Sequence, residues 1–401
     1  MKDNVIIMGA GIQGMCCALA LSNLNIPVTL IDKAPEPLSR ASLRNEGKIH
    51  LGFIYANDTS FRSASLMLRS AVCFASTIES LLGYKVDWKP LRSRKFNYLI
   101  LEETMLSSQA ILSHYHQLQK EYDNIKDPSN HYLGNNLIEL FTETNLLMPE
   151  LNQDAVRMCI PTEELAVNLV GLRELLIAEM KARNNISFYG NYCVEEIQKT
   201  SYGYQLKGSN CHEGGWNFES SQVINCLWES RLLFDQQLGF DPQRKWVYRL
   251  KHRILGIPSK SIAALDSFTC VLGAFGDMVN YDNHYTYLSW YPECMRGWST
   301  EITTPASWED ACNGRTERDE WVEKALAGLD HIFPGLAAFD IKHLDGGIIF
   351  SWGKTDIDDL NSELHNRFEI GIHHDDGYYS IDTGKFTSAP FFAGKLQKHF
   401  L

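Results

Sequence analysis

The sequence predicts an α/β protein in which a doubly wound, mostly parallel sheet is interrupted by an antiparallel sheet with helices. Three observations support this class. Residues 4–32 contain a strand, a glycine-rich turn, a helix, a second strand and an acid, and short buried strands return after residue 160. Residues 243–305 instead place aromatic and β-branched side chains at alternate positions. Continuous apolar strands are typical of parallel sheets, and alternation is typical of antiparallel ones.

The first predicted unit is a strand that runs into a glycine-rich turn. The strand covers Val5–Met8 and is followed by Gly9, Gly11 and Gly14 in the spacing G-x-G-x-x-G. Gly9 allows the tight turn from strand to helix, Gly11 lets the backbone approach a pyrophosphate, and Gly14 lets the helix lie close to the sheet. The motif is weak by itself, so its surroundings decide how it is interpreted.

The surroundings of these glycines are complete within the first 32 residues. A helix follows the turn, and the free N–H groups of its first turn, at Ile12 and Gln13, are placed to bind phosphate oxygens. A second strand, Val28–Ile31, ends at Asp32, whose carboxylate can accept hydrogen bonds from a ribose, with Lys33 beside it. The stretch therefore predicts a Rossmann-like dinucleotide-binding domain, and a glycine-rich turn without a nucleotide is the alternative.

The rest of the chain is predicted to alternate between two domains. Amphipathic helices are predicted at residues 60–82, 105–122, 170–183 and 308–333, and a last helix at residues 389–400 follows a hairpin. The dinucleotide-binding domain is predicted to comprise residues 1–85, 160–240 and 336–401. The inserted, substrate-binding domain is predicted to comprise residues 86–159 and 241–335.

Composition excludes several classes of function. The 401 residues have a formal net charge of −12, which argues against a nucleic-acid partner because such binding needs a basic face. No apolar run approaches the roughly 20 residues that span a bilayer, so no membrane span is expected. The ten cysteines form no C-x-x-C pair, which predicts reduced thiols in a cytoplasmic protein without a secretory signal. The histidines predict no metal site, and the oligomeric state stays open.

Three parts of the sequence together resemble one known family. They are the glycine-rich turn ending at Asp32, the segment from Ser42 through Asn45 and Gly47 to His50, and Gly384 before the terminal helix. The chain resembles the D-amino-acid oxidase superfamily of FAD-dependent oxidoreductases, to which glycine and sarcosine oxidases belong. The resemblance implies that the doubly wound domain binds FAD and that the inserted domain binds a small-molecule substrate.

The same resemblance implies a reaction. The expected enzyme moves a hydride from a C–N bond of an amine or amino-acid-like substrate to flavin N5, and the imine is then hydrolysed. Residues 45–55 are also similar to the 2-hydroxyglutarate and glycerol-phosphate oxidising relatives. An FAD-dependent oxidase or dehydrogenase of a 2-hydroxy acid or polyol phosphate is therefore the alternative. A flavin-binding protein without turnover is a third possibility.

Further cofactor residues are implied by their positions in the matched segments: Arg40, Ser42, Asn45, Gly47, Thr383, Gly384 and Lys385. Ser42 and Asn45 are expected at the pyrophosphate or the ribitol. Arg40 is expected at a phosphate, with surface placement as the alternative. The backbone N–H groups before the last helix, with the Lys385 cation, are expected near the flavin C2=O, although a plain helix N-terminus is possible there.

Lys48 and His50 are the expected catalytic residues. They lie two positions apart in an extended stretch and therefore point to the same side. In the resembling families this stretch runs beneath the flavin ring, where Lys48 would polarise the ring edge or assist the reaction with oxygen. His50 would accept a proton, because its ordinary pKa lies near the working pH. A structural histidine, or a covalent link to the flavin, is the alternative for His50.

The substrate residues are the least determined by the sequence. Amino-acid oxidising relatives often carry a carboxylate-binding arginine in a Gly-hydrophobic-Arg-Pro strand, and residues 346–354 contain no arginine. Arg249, Lys251, Arg253 or Lys354 is expected to replace it, although an exposed charged strand face is the more common explanation for the three residues at 249–253. Tyr287 and Tyr291 are expected to line an aromatic substrate pocket, with core packing as the alternative. The missing arginine makes a simple α-amino acid less favoured.

Overall fold

The protein is described from a computed structural model. The structure describes residues 4–144, 148–210, 212, 214–282, 285–336, 338–357 and 359–401, with the backbone alone at residues 261 and 365. Residues 283 and 284, within the predicted antiparallel region, lie outside the described residues.

The strands of the described residues fall into a parallel sheet, a large antiparallel sheet and two small sheets. In chain order they are β1 Val5–Met8, β2 Val28–Asp32, β3 Lys48–Ile49, β4 Phe96–Leu101, β5 Val156–Pro161, β6 Leu165–Ala166, β7 Ile186–Gly190, β8 Tyr192–Thr200, β9 Gly203–Asn210, β10 Gly214–Ser220, β11 Gln222–Asn225, β12 Trp246–Ile257, β13 Ser267–Cys270, β14 Gly276–Asn280, β15 Thr286–Trp290, β16 Met295–Ser299, β17 Asp340–Trp352, β18 Gly371–Asp375 and β19 Tyr378–Asp382.

The α-helices pack against these sheets. In chain order they are α1 Ile12–Ser22, α2 Arg62–Val72, α3 Phe74–Leu82, α4 Ser108–Ile125, α5 Leu169–Ala182, α6 Arg231–Gln237, α7 Lys260–Ala263, α8 Tyr291–Cys294, α9 Glu309–Cys312, α10 Glu320–Ile332 and α11 Ala389–Gln397.

The predicted opening strands lie at the centre of the parallel sheet. Its order is β18-β19-β11-β1-β2-β7, parallel from β19 to β7, with β18 antiparallel at the edge. Every residue of α1 is buried, because this helix lies between the sheet and α11. The carboxyl ends of β1, β2 and β11 meet at one edge, which is where doubly wound sheets form their ligand crevice. The predicted fold class is confirmed.

The second large sheet runs β16-β12-β15-β14-β13-β4-β5, with β17 also paired to β12. It is antiparallel except where β13 meets β4. β17 belongs to this sheet, although the sequence predicts residues 336–401 for the dinucleotide-binding domain. The apolar run of β17 has no clear alternation because it is buried against a cluster that includes Tyr248 and Trp308. The domain boundaries stay predictions.

Two predicted long helices are each divided, which corrects the sequence interpretation. The helix predicted at residues 60–82 is two helices, α2 and α3, which meet at Cys73. In the last turn of α2, Ser70 Oγ donates to Leu66 O at 2.8 Å. Such bonds within a helix favour a bend. The helix predicted at residues 308–333 is α9 and α10, separated by Gly314 with φ +81°. No single helix of the described part of the chain is long and apolar enough to cross a membrane; α2 and α3 meet these criteria only as a pair, bent by 42°.

Gly14 fixes the distance between α1 and the turn that precedes it. A Cβ at this position would lie 1.8 Å from Gly9 O, which is backbone and cannot move independently. We expect Gly14→Ala to lower the free energy of unfolding by roughly 3 kcal/mol, since overpacking forces the backbone apart. Urea unfolding without added FAD measures this change.

The control for this substitution is Gly394→Ala in α11. A Cβ at Gly394 meets nothing within 4 Å, so this variant should be as stable as the wild type or slightly more stable. Equal midpoints for Gly14→Ala and the wild type would contradict the tight packing of α1.

Candidate cofactor and substrate site

A deep cleft opens where the carboxyl ends of β1, β2 and β11 face the antiparallel sheet. It is lined by the turn after β1, by residues 38–50, by part of β12 and by residues 383–386. Segments far apart in the sequence therefore meet in one cavity. Its two ends differ, because one adjoins the glycine-rich turn and Asp32, and the other adjoins His50 and Lys385.

The glycine-rich turn presents bare backbone to this cleft. Gly9 has φ +95°, and a Cβ there would lie 2.8 Å from Cys226 O, so the turn is close against the end of β11. A Cβ at Gly11 would meet only Ser42 Oγ, at 3.1 Å. Ser42 Oγ also accepts a hydrogen bond from Ile12 N at 2.8 Å. The Ile12 N–H, expected to be free for a phosphate, thus has a partner within the chain. The bare backbone at Gly11 still fits the close approach of a pyrophosphate at the start of a helix.

Asp32 lines the cleft and is held by the backbone. Its Oδ2 accepts from Ala10 N at 2.7 Å, and its Oδ1 accepts from Ala34 N at 2.8 Å. Burial raises the pKa of Asp32. Each oxygen keeps a second lone pair, which a ribose hydroxyl can use. The observed position fits the expected ribose contact.

The cations next to Asp32 have protein partners in the structure. Arg40 Nη1 lies 2.8 Å from Glu309 Oε2, and Arg40 Nη2 lies 3.0 Å from Glu229 Oε1. Lys33 Nζ lies 3.0 Å from Glu309 Oε1. Both cations line the cleft. If Arg40 binds a phosphate, its guanidinium must therefore contact that phosphate and two carboxylates at the same time.

The loop from Ser42 to Gly47 shapes one wall of the cleft. Asn45 Nδ2 donates to Ala41 O at 2.9 Å, and Asn45 Oδ1 accepts from Gly47 N at 2.7 Å. Gly47 has φ +70°, and a Cβ there would lie 2.3 Å from Val167 O. Ser42 and Asn45 line the cleft, whereas Gly47 lies behind it as a turn residue.

The segment before the last helix is tied to α1. Thr383 Oγ1 donates to Gln13 Oε1 at 3.0 Å, and Gln13 Nε2 donates to Ala389 O at 3.2 Å. Gly384 has φ +66°, and its N–H donates to Asp382 Oδ1 at 3.1 Å. Thr383, Gly384 and Lys385 all line the cleft. Gln13 also lines the cleft, but its side chain joins the two helices.

His50 lies at the other end of the cleft between two carboxylates. Its Nε2 is 3.7 Å from Glu46 Oε1, and its Nδ1 is 3.7 Å from Glu164 Oε1. His50 is 2% exposed, and neither ring nitrogen has a hydrogen-bond partner among the described residues. Burial lowers the pKa of His50 to about 4. The imidazole is therefore neutral near pH 7, but burial makes it a weaker base than the histidine of ordinary pKa that the sequence predicts.

Glu164 lies beside His50. It directly precedes β6, the strand that pairs with β3. Its Oε2 accepts from Leu51 N at 2.6 Å, and its Oε1 accepts from the Tyr98 hydroxyl. Burial raises the pKa of Glu164 to about 7. Because the pKa of His50 is lowered to about 4, Glu164 holds a proton more tightly than the neighbouring imidazole does.

Lys48 points toward the antiparallel sheet. Its Nζ lies 3.0 Å from Asp277 Oδ1 and also donates to Thr269 Oγ1. Lys251 Nζ lies 3.8 Å from the other oxygen of Asp277. Both lysines line the cleft, together with Tyr287. Lys48 therefore has a fixed ion pair, and its predicted catalytic role stays a prediction.

Three expected substrate residues lie outside the cleft. Lys354 is exposed. Arg249 Nη1 donates to Tyr291 Oη at 3.0 Å and lies 3.3 Å from Asp356 Oδ1, which also accepts from the Tyr291 hydroxyl. These contacts are buried or partly buried side-chain pairings between β12, α8 and the loop after β17. The structure thus separates Lys354, Arg249 and Tyr291 from the cavity that holds His50.

Other residues of this end were not among the sequence predictions. They are Glu46, Tyr55, Glu164, Asp277 and Arg367. Glu46 and Tyr55 belong to residues 45–55, the segment that carries the family resemblance. A charged and an aromatic side chain in that segment are the sequence signal that could have identified them as site residues. Arg367 follows a stretch without periodicity, so no sequence signal marked it.

The fold and the cleft define a class of protein: a dinucleotide-binding α/β sheet with an antiparallel sheet placed across its crevice. A family model described as DAO, FAD dependent oxidoreductase, matches residues 4–379. The chain belongs to this DAO family of FAD-dependent oxidoreductases, and its cofactor is FAD.

Solved structures share this fold at low sequence identity. Glycine oxidase from Geobacillus kaustophilus matches with a TM-score of 0.67 and 15% identity, over 99% of this chain and 95% of that chain. L-proline dehydrogenase from P. horikoshii matches with a TM-score of 0.67 and 12% identity, over 100% and 93%. L-alpha-glycerophosphate oxidase from Mycoplasma pneumoniae, with FAD bound, matches with a TM-score of 0.64 and 15% identity, over 98% and 94%. No curated protein matches the sequence.

Proposed function

We propose that the protein oxidises a small anionic alcohol, a 2-hydroxy acid or a polyol phosphate, with FAD. The observation that carries this proposal is the excess of positive charge around His50. Four cations line that end of the cleft: Lys48, Lys251, Arg367 and Lys385. The carboxylates beside them are Glu46, Asp277 and Glu164.

The charge balance favours an anion over an ammonium group. Burial acts to raise the pKa of Glu46, but His50 and Lys385 hold it well below its usual range. Lys48 and Lys251 likewise lower the pKa of Asp277 against the effect of burial. Both acids are therefore ionised. The four cations then exceed the carboxylates by one charge if Glu164 is ionised, and by two charges if Glu164 is neutral. Like charges at such a buried site repel strongly, so a substrate ammonium is disfavoured.

His50 is the proposed base. When bound, FAD supplies the acceptor for a hydride from the donor C–H. His50 can remove the hydroxyl proton because it is neutral, buried and without a hydrogen-bond partner among the described residues. Glu46 and Glu164, each 3.7 Å away, stabilise the imidazolium that results.

The sequence ranks oxidation of a C–N bond first, and one observation keeps it as the second candidate. Glu46 lines the cleft and presents a carboxylate near His50. A carboxylate at that position could hold the ammonium of an amino acid while the cations hold its carboxylate. The same residues would then serve a zwitterion.

Product analysis distinguishes the two candidates. The holoenzyme is supplied with oxygen or an artificial acceptor and with 2-hydroxy acids, polyol phosphates and amino acids in separate reactions. We expect a carbonyl product from a hydroxy acid or polyol phosphate, and no ammonia from any amino acid. Ammonia release without oxidation of any alcohol would favour the amine reaction. No turnover of any donor would contradict both candidates.

Lys385 makes the affinity for the donor depend on pH. Burial lowers the pKa of Lys385 to about 8, although Glu46 acts in the opposite direction. Lys385 is therefore a cation below pH 8 and loses its charge as the pH rises. We expect the KM of an anionic donor to rise on the order of 10-fold as the pH increases through the pKa of Lys385, about 8.

The control is Lys385→Arg, whose guanidinium stays charged throughout the same range. Its KM should vary much less with pH than that of the wild type. The role of Lys385 would be contradicted by equal pH profiles for the two proteins.

A further inference from the structure

The short helix α9 connects the antiparallel sheet with the loop that follows β2. On one side of α9, Ala311 and Cys312 are buried in an apolar cluster with Tyr248 of β12 and Phe350 of β17. On its other side, Glu309 faces the loop after β2. A helix anchored in the antiparallel sheet therefore presents a carboxylate to the parallel sheet.

Two cations of that loop contact this carboxylate. Arg40 binds both of its oxygens, with Nη1 2.8 Å from Glu309 Oε2 and Nη2 3.1 Å from Glu309 Oε1. Lys33 Nζ lies 3.0 Å from Glu309 Oε1. Contacts of arginine with both carboxylate oxygens are stronger and more directional than single ones. Burial acts to raise the pKa of Glu309, but Arg40 and Lys33 lower it to about 2, so the ion pairs persist at neutral pH.

The turn after α9 makes a second contact with the same loop. Asn313 Oδ1 lies 3.5 Å from Arg40 Nη1. A Cβ at Gly314 would lie 3.2 Å from Arg44 Nη2, so the turn is close to that guanidinium. The loop it covers also carries Ser42, which lines the cleft. Residues 309–314 thus lie over one wall of the cleft.

Glu229 extends these ion pairs across the crevice. It follows β11, whereas Lys33 and Arg40 follow β2, and β1 lies between those two strands in the sheet. Glu229 Oε1 lies 3.0 Å from Arg40 Nη2 and 3.6 Å from Lys33 Nζ. The ion-pair cluster of Lys33, Arg40, Glu229 and Glu309 therefore passes over the carboxyl end of β1, where the glycine-rich turn begins.

The ion-pair cluster separates this end of the cleft from the solvent. Lys33, Arg40 and Glu229 line the cleft. The side chains of Arg40 and Glu229 are 13% and 11% exposed. Those of Lys33 and Glu309 are 34% and 40% exposed, so Glu309 lies on the outer side of the cluster.

We propose that Glu309 closes the ribose end of the cleft over bound FAD, with Arg40 and Lys33 as its partners, and thereby slows the release of the cofactor. Two positive and two negative charges leave the ion-pair cluster without net charge, which suits closure better than binding of a pyrophosphate dianion. Asp32 and the glycine-rich turn contact the dinucleotide, and the cluster retains it. This role does not depend on which donor the enzyme oxidises.

The rate of FAD release from the holoenzyme tests this role. The holoenzyme is mixed with an excess of an unrelated apoflavoprotein, and the activity that the apoflavoprotein recovers measures the released FAD. We expect Glu309→Gln to release FAD roughly 10-fold faster than the wild type, because it loses two partly exposed ion pairs. Its dissociation constant for FAD should change by less than about threefold, because opening the cluster also speeds FAD entry.

Ionic strength gives a second readout of the same contacts. Salt screens partly exposed ion pairs, so release from the wild type should become faster as salt is added. Glu309→Gln has already lost the pairs with Arg40 and Lys33, so its release rate should increase less.

Asp310→Asn is the matched control. Asp310 is the next residue of α9, but its Oδ1 lies 2.7 Å from Arg315 Nη2, and both side chains of this pair are largely exposed. The substitution removes one negative charge beside Glu309 without touching the ion-pair cluster. FAD release from Asp310→Asn should stay within about twofold of the wild-type rate.

The outcomes separate closure from a simple effect of charge. Removing a carboxylate near a pyrophosphate would by charge alone slow the release, so slower or unchanged release from Glu309→Gln would overturn the proposal. Equal acceleration in Asp310→Asn, or no FAD release from any of the proteins, would also overturn it. If Glu309→Gln is purified without FAD, Lys33→Gln decides: release about threefold faster supports the proposal, and an unchanged rate overturns it.

Discussion

Gly11→Ala is expected to give a folded protein that binds FAD at least roughly 100-fold more weakly, so that it is purified without colour. The backbone of Gly11 faces the cleft, and an added Cβ would occupy space at the start of α1 that a pyrophosphate needs. The protein itself should tolerate the change, since that Cβ meets only Ser42 Oγ, at 3.1 Å. Visible absorbance after purification and a fluorescence titration with FAD measure the loss.

Two comparisons make this result specific. Gly394→Ala, in α11 and away from the cleft, should retain full colour, since a Cβ there has open space. Gly11→Ala should also unfold at nearly the same urea concentration as the wild-type apoprotein, in contrast to Gly14→Ala. Full flavin content in Gly11→Ala would contradict the position assigned to the pyrophosphate.

His50→Asn is expected to retain FAD and to slow flavin reduction by the donor by roughly 10²- to 10⁴-fold, the range that positioned general bases contribute. Asparagine is polar and of similar size but cannot accept the hydroxyl proton. His50 N donates to Thr387 Oγ1 at 3.0 Å through its backbone, so this contact survives the substitution. Anaerobic stopped-flow absorbance at saturating donor measures the rate.

His116→Asn is the control for a histidine on the protein surface. His116 pairs with Glu143, and its side chain is 61% exposed, so its substitution should change the reduction rate by less than about twofold. If His50→Asn is reduced as fast as the wild type, His50 is not the base, and a structural role would explain its burial.

The parallel sheet and its first turn could be predicted because the relevant signals are local. Gly9, Gly11 and Gly14 act within one turn, and the flanking strands are short, four and five residues, and buried almost throughout. The break at Cys73 has no sequence signal, because the apolar periodicity continues on both sides of it. The break around Gly314 has one, because residues 313–320 are a polar run that contains a glycine. Periodicity shows which face is buried but does not show whether the helix is continuous.

The substrate end of the cleft depends on contacts that no local pattern records. Glu164 reaches His50 through the pairing of β3 with β6, which are two residues each and too short to show alternation. Arg367 is held by its backbone N–H, which donates to Ser63 Oγ at 2.7 Å, 304 residues earlier in the chain. Arg249 and Tyr291 looked equally suitable from sequence, but Asp356 pairs with them in the folded protein.

The central claim is that the cation-rich end of the cleft, with His50 as base, oxidises an anionic alcohol. Anaerobic mixing of the holoenzyme with 2-hydroxyglutarate and with glutamate compares a hydroxyl and an ammonium on the same carbon skeleton. We predict that the hydroxy acid bleaches the flavin absorbance and that the amino acid does not. Bleaching by glutamate alone would contradict the claim and would return oxidation of a C–N bond to first place.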